Sequence, residues 1–82
     1  MTSAWSVYMV RCKDGNLYTG IAIDVEKRIA KHNAGEGAKY TRSRLPVVLV
    51  WQETVESESE ARVREAKLKR LTRRQKISLV GD

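Results

Sequence analysis

The sequence predicts an α+β domain in which a three-stranded antiparallel sheet is flanked by helices, in the order β-β-α-β-α-α. Two strand-like segments flank a turn near the N-terminus, a nearly continuous apolar segment lies mid-chain, and two helix-capping patterns occur in the C-terminal third. The chain has 82 residues and lacks a Pro/Gly/Ser-rich linker. We therefore expect residues 1–82 to form a single domain with a modest core.

The first two predicted strands form a hairpin that carries two tyrosines. Trp5–Cys12 and Leu17–Ala22 have the length and composition of strands. The turn between them decides how Tyr8 and Tyr18 are arranged. A two-residue turn would place the two rings on opposite faces of the sheet, and a three-residue turn, Lys13–Gly15 with a left-handed glycine, would place them on one face as diagonal neighbours.

A helix is predicted over about Val25–Asn33. Asp24 is its expected N-cap, and a glycine follows its end. Arg28 and His32 lie four residues apart on one line of this helix, beside its apolar stripe. Each has two interpretations: the Arg stem covers apolar surface or its guanidinium clamps a phosphate, and the His caps carbonyls or titrates near neutral pH.

Residues 34–44 predict a basic loop, because they contain two glycines, three Lys or Arg and one Tyr without a clear period. Lys39, Tyr40 and Arg42 combine positive charge with an aromatic ring, which is the mixture that single-stranded nucleic acids bind. Ordinary packing of Tyr40 is an equal alternative. Val47–Thr54 is almost entirely Val, Leu and Trp before its polar end, which is typical of a central strand buried on both faces.

Two helices are predicted in the C-terminal third. A capping box at Ser57–Glu60 begins a helix over about Glu58–Leu71, which packs through Ala61, Leu68 and Leu71. A second box at Thr72–Gln75 begins a short last helix.

Glu65 lies on the margin of the apolar stripe of the longer helix. A surface ion pair with Arg62 or Lys69, three and four residues away, is one interpretation. The other is a metal ligand, since a single carboxylate with several waters and a phosphate is a common environment for Mg²⁺. The spacing alone leaves both open.

The charge balance favours a polyanionic partner. Sixteen Lys and Arg stand against ten Asp and Glu, for a net charge of +6 and a pI near 9.8. Half of the positive residues lie in one basic segment that surrounds Glu65: Arg62, Arg64, Lys67, Lys69, Arg70, Arg73, Arg74 and Lys76. With one cysteine and no long apolar run, we expect a reducing, cytoplasmic location and no membrane partner.

Four features of the sequence occur in a fixed order. The hairpin carries Ser6-Val7-Tyr8 and then Tyr18-Thr19-Gly20, an Arg follows in the next helix, and a Glu follows in a later one. In this order they resemble the GIY-YIG nuclease domain. The small stand-alone proteins of this family have segments similar to residues 24–28, 37–41 and 64–71. The resemblance extends from about residue 5 to residue 80.

The resemblance implies hydrolysis of a phosphodiester bond with one divalent ion, Mg²⁺ or Mn²⁺. It implies the following roles: Tyr8 activates or orients water, Tyr18 holds water or phosphate, Arg28 neutralises charge on the phosphate, His32 lies near the site, and Glu65 binds the metal. Gly20 would let a backbone approach closely, and Lys39, Tyr40, Arg42 and Lys69 would contact the substrate.

Three functional hypotheses follow. The first is a metal-dependent DNA endonuclease, selective for a DNA structure or for single strands, because so small a domain contacts too few bases to identify a long sequence. DNA is favoured over RNA, repair or recombination is the expected setting, and a monomer or weak homodimer is the expected state. The second is a catalytically idle nucleic-acid-binding module, and the third is a protein-interaction or structural domain.

Overall fold

The computed structural model describes residues 4–81, and its element order confirms the predicted α+β fold. The ends of the predicted domain, residues 1–3 and Asp82, lie outside the described residues. The elements are β1 (Trp5–Arg11), β2 (Leu17–Ala22), α1 (Val25–Asn33), α2 (Lys39–Arg42), β3 (Val48–Val55), α3 (Glu58–Lys69) and α4 (Arg73–Val80). The three strands form one antiparallel sheet in the order β2-β1-β3.

The hairpin turn is the longer of the two alternatives. The Cys12 N–H donates to the Asn16 carbonyl at 2.8 Å, and Gly15 adopts a left-handed φ of 87°. Val10 lies opposite Tyr18 as a result. Both hairpin tyrosines therefore occupy one face of the sheet, as the three-residue turn predicts.

Side-chain alternation along β1 divides the core into two layers. One face of β1 packs against α1 and holds Tyr8, Val10, Cys12 and Val25. The other face packs against α3 and holds Val7, Met9, Ala61 and Leu68, with Leu71 at its margin. The sheet is thus covered by helices on both faces, and the predicted packing residues of the long helix are confirmed.

The prediction of a buried central strand at Val47–Thr54 is wrong. The central strand is β1, whereas β3 lies at an edge, begins at Val48 and has partly exposed side chains along its length. Val48 is 61% exposed. An apolar run shows that a strand has a covered face, but the run itself does not show how many strands lie beside it.

The predicted basic loop contains a short helix, α2. Its first turn is closed by the Thr41 N–H and the Thr41 hydroxyl, which both donate to the Ala38 carbonyl. Four residues are too few for a helical period to be visible in the sequence.

The helix caps were predicted well. Asp24 caps α1 through the Lys27 N–H, and the capping box at Thr72–Gln75 is complete. At α3 the Ser57 hydroxyl accepts from the Glu60 N–H, but the Glu60 carboxylate accepts from the Glu56 N–H, one residue earlier than a capping box requires. Within residues 4–81, no helix combines the length and apolar character that crossing a bilayer demands.

Candidate active site

Tyr8 lies at the centre of β1 and is 1% exposed. Its partner across the hairpin is Gly20, and a Cβ at that position would lie 2.6 Å from the Tyr8 hydroxyl oxygen. Any side chain here would therefore displace the phenol. A glycine was expected at this position because it allows a close approach to the backbone, and the group that approaches is the Tyr8 ring.

Both ring nitrogens of His32 form hydrogen bonds, one with Tyr8 and one with Thr41. It is fully buried on the last turn of α1, with Nε2 2.9 Å from the Tyr8 hydroxyl and Nδ1 2.8 Å from the Thr41 hydroxyl. Thr41 donates its only hydroxyl hydrogen to the Ala38 carbonyl, so it accepts from Nδ1–H. Nε2 is then the acceptor, and Tyr8 donates to it.

Electrostatics keep this pair neutral. Burial lowers the pKa of His32, and the nearby positive charge of Arg28 lowers it further. Burial also raises the pKa of the Tyr8 hydroxyl, an effect that a hydrogen bond from Arg28 opposes. At neutral pH the site therefore holds a neutral imidazole that accepts from a neutral phenol, an arrangement suited to moving a proton from Tyr8 to His32.

Tyr18 lies on the other side of the imidazole. Its ring lies in a T-shaped arrangement with the His32 ring at a centroid distance of 5.4 Å, and the Tyr8 ring does so at 6.1 Å. We call Tyr8, Tyr18 and His32 the tyrosine–histidine cluster. The structure thus brings together three of the five predicted catalytic residues by direct contact.

Arg28 and Glu65 lie on two different helices, and both act electrostatically on Tyr8. Arg28 is partly buried on α1, and its hydrogen bonding and positive charge act to lower the pKa of Tyr8, whereas the charge of Glu65 on α3 acts to raise it. Glu65 is 20% exposed and pairs with Lys69 at 3.3 Å, whereas Arg62 pairs with Glu58 instead. The ion-pair interpretation of Glu65 is therefore correct for Lys69 and wrong for Arg62.

The donor set at Glu65 fits one kind of metal. Among the described residues there is no group of three or more His, Cys, Asp or Glu that could hold an ion. A single partly exposed carboxylate suits a hard cation that keeps most of its waters and binds a substrate phosphate, as Mg²⁺ or Mn²⁺ does. It does not suit a metal that needs a closed protein cage.

The predicted substrate residues separate into two groups. Tyr40 stacks on Tyr18 at 5.8 Å and also has the Arg44 guanidinium 4.1 Å from its ring centre, so its ring is already engaged by protein groups. Lys39 and Arg42 are exposed on α2, and no contact of theirs with the tyrosine–histidine cluster is seen within residues 4–81.

Two residues of the site were missed by the sequence analysis. Thr41 orients His32, and a Cβ at Gly37 would collide with the His32 ring. Both belong to the segment 37–41 that carries part of the family resemblance, which was the available signal. Their role depends on how that segment folds back onto the end of α1, and no local pattern shows this.

Comparison with known proteins identifies the family. A family model described as the GIY-YIG catalytic domain matches residues 4–78. The chain is 54% identical to a UPF0213 protein of Staphylococcus saprophyticus and 57% identical to one of Staphylococcus haemolyticus, over 93% of both chains in each case.

Solved structures agree. The solution NMR structure of a UPF0213 protein from Bacillus halodurans is 48% identical, with a TM-score of 0.60 over 94% of this chain and 82% of that one. An NMR structure of a protein from E. faecalis is 37% identical, with a TM-score of 0.61 over 96% of this chain and 88% of that one. The chain described here belongs to the GIY-YIG family of nucleases.

Proposed function

We propose that this protein is a divalent-metal-dependent endonuclease that hydrolyses phosphodiester bonds in DNA. The observation that supports this most strongly is the buried hydrogen bond from the Tyr8 hydroxyl to Nε2 of a neutral His32, with Arg28 and Glu65 close enough to act on the pKa of Tyr8. A neutral imidazole that accepts from a phenol can take up a proton through it, and this is the property that general base catalysis uses.

The proton path follows from the tautomer of His32. A water molecule near Tyr8 loses a proton to the phenol oxygen while the phenol proton moves to Nε2. The water oxygen forms a bond to phosphorus, the bond from phosphorus to the 3′ oxygen breaks, and the departing oxygen takes a proton from solvent. The imidazolium then returns its proton to solvent through Tyr8. Tyr8 acts as a relay in this scheme, because its raised pKa disfavours a resting phenolate.

Charge compensation comes from two groups that already act on Tyr8. The Arg28 guanidinium neutralises charge that develops on the non-bridging phosphate oxygens. Glu65 would hold a Mg²⁺ or Mn²⁺ ion, which would supply positive charge for the departing 3′ oxygen. Tyr18, which lies in a T-shaped contact with the imidazole, positions the phosphate or the water.

The substrate surface in this proposal lies on the same side as α2. Lys39 and Arg42 follow the DNA backbone, whereas Tyr40 supports Tyr18 and binds a base only if Arg44 gives up its place on the ring. The proposal further includes selectivity for single strands or branched DNA and a role in repair or recombination. It also includes a cytoplasmic location and a monomeric or weakly dimeric state.

One observation favours the idle nucleic-acid-binding module instead. The Glu65 carboxylate is paired with Lys69, and an ion must displace or share this contact. In the idle module that pair would be permanent, and DNA would bind without being cut.

One experiment separates the two functions. Purified protein is incubated with labelled single-stranded, duplex and branched DNA in Mg²⁺, Mn²⁺ or EDTA, beside an Arg28→Ala variant. The endonuclease cuts at least one substrate with a divalent ion, is silent in EDTA and is inactivated by Arg28→Ala. Binding that is insensitive to EDTA, with no cutting under any condition, would establish the idle module.

A further inference from the structure

A cleft runs along the outer edge of β2, away from β1. It consists of a cavity of about 320 Å³ and a neighbouring cavity of about 170 Å³. Both are bounded by Leu17, Tyr40 and Lys76, so they are parts of one depression. We call it the β2-edge cleft, and its remaining lining residues are Asn16, Tyr18, Thr19, Lys69 and Arg73.

All charged residues that line the β2-edge cleft are positive. Lys69 comes from α3, and Arg73 and Lys76 come from α4. The Arg73 guanidinium lies 3.4 Å from the Asn16 side-chain oxygen and 3.4 Å from the Gly15 carbonyl, which holds α4 beside the hairpin turn. Within residues 4–81, Lys76 forms no ion pair. Such a cleft attracts an anion with several charges.

A buried hydroxyl gives an independent indication of a ligand. Thr19 is 2% exposed, lines the larger cavity, and its hydroxyl is the one buried side-chain polar atom without a hydrogen-bond partner among the described residues. Buried polar groups in folded proteins nearly always have a partner. A rotation of the Thr19 side chain toward the larger cavity would let an oxygen atom of a ligand in the cleft supply one.

The cleft adjoins the tyrosine–histidine cluster through Tyr18. Tyr18 lines the larger cavity and also contacts the His32 ring, while Lys69 lines the same cavity and pairs with Glu65. A strand with its scissile phosphate at the cluster would therefore have its next phosphates beside Lys69, Lys76 and Arg73.

We propose that the β2-edge cleft binds the sugar–phosphate backbone of the strand that flanks the cleaved bond. This inference rests on the proposed function and extends it: α4 becomes part of the substrate surface, and Arg73 and Lys76 become binding residues. A single strand fits this cleft better than a duplex, because the cations converge on one groove instead of spreading over a broad convex face.

The inference is tested by DNA binding in EDTA, where no cleavage complicates the measurement. Fluorescence anisotropy gives the Kd of a labelled single-stranded oligonucleotide at several salt concentrations for Arg73→Gln/Lys76→Gln and for Arg74→Gln. Arg74 is the matched control, since it lies on the same helix and does not line the cleft. Urea unfolding confirms that each variant is folded.

The double variant should lose two phosphate contacts. The magnitude of the negative slope of log K against log salt falls by about 1.4, at about 0.7 for each contact, and Arg74→Gln keeps the wild-type slope. Lys76→Gln alone, which breaks no ion pair seen within residues 4–81, should lower the magnitude of the slope by about 0.7 and serves if the double variant unfolds.

The outcomes separate this inference from the proposed function. If the double variant binds with the same slope as Arg74→Gln while the wild-type protein cuts DNA, the β2-edge cleft does not bind the strand and the inference is overturned alone. If the double variant has the smaller salt dependence and the wild-type protein never cuts DNA, binding of the strand in the cleft is supported and the endonuclease proposal fails.

Discussion

Replacing Thr41 with Val removes the hydroxyl that fixes the proton positions on His32. Val has nearly the shape of Thr, so the buried volume is retained. The change leaves the His32 Nδ1–H, 2.8 Å from the lost oxygen, buried without an acceptor. An unsatisfied buried donor costs about 1–3 kcal/mol, and we expect the free energy of unfolding to fall by that amount.

The tautomer explains why the same variant should lose activity. The imidazole can avoid the buried donor by moving its proton to Nε2, which then faces Tyr8 as a donor. Tyr8 could no longer pass a proton to His32. Loss of a positioned general base typically slows a reaction by about 10²–10⁴-fold, and we expect cleavage by Thr41→Val to slow by a factor in this range.

Three measurements and one control test this prediction. Urea unfolding gives the stability, ¹⁵N NMR of the imidazole gives the tautomer, and single-turnover cleavage gives the rate. Thr41→Ser keeps the hydroxyl and should restore the tautomer and most of the rate. A Val variant with the wild-type tautomer and the wild-type cleavage rate would refute the role of Thr41.

Three further predictions follow from the same site. Gly20→Ala places a Cβ 2.6 Å from the Tyr8 hydroxyl oxygen, so overpacking should lower the free energy of unfolding by about 1–3 kcal/mol, and an unchanged urea midpoint would contradict this. Tyr8→Phe keeps the ring and loses the donor to His32, so cleavage should fall at least about 100-fold in a fold whose far-UV CD spectrum is unchanged. Because the pKa of folded His32 lies below the unfolded value of about 6.5, the unfolded chain binds more protons below that pH. The contribution of His32 to stability should therefore be constant above about pH 6.5. Below about pH 6.5 it should fall by up to about 1.4 kcal/mol per pH unit until the folded pKa is reached. Urea midpoints compared with those of His32→Gln measure this contribution, and the opposite slope would show that the imidazole is charged in the fold.

The sequence predicted the parts of the structure that local chemistry decides. Asp24 caps α1 and that helix has the predicted bounds, and the box at Thr72–Gln75 begins α4. For the hairpin turn the sequence left two possible lengths, and each length determines whether Tyr8 and Tyr18 share a face of the sheet. These features depend on residues within a few positions of one another.

The sequence could not predict the parts that depend on distant contacts. The position of β3 at the sheet edge depends on its pairing with β1 alone, about forty residues away in the chain. His32 meets Tyr8 from 24 residues away, and Thr41 meets His32 only because α2 folds against α1. The residue types of the site were therefore predictable from motifs, and the proton path through them was not.

Cleavage by Glu65→Gln tests most directly whether one hydrolytic site unites the cluster with a metal. Single-turnover cleavage of labelled DNA in Mg²⁺ is compared with that of Glu58→Gln, which neutralises a carboxylate on the same helix that pairs with Arg62. Loss of a metal that contributes several kcal/mol predicts a roughly hundredfold or greater fall in rate for Glu65→Gln, with DNA binding retained, and a near wild-type rate for Glu58→Gln. Undiminished cleavage by Glu65→Gln, in protein free of contaminating nucleases, would contradict the account.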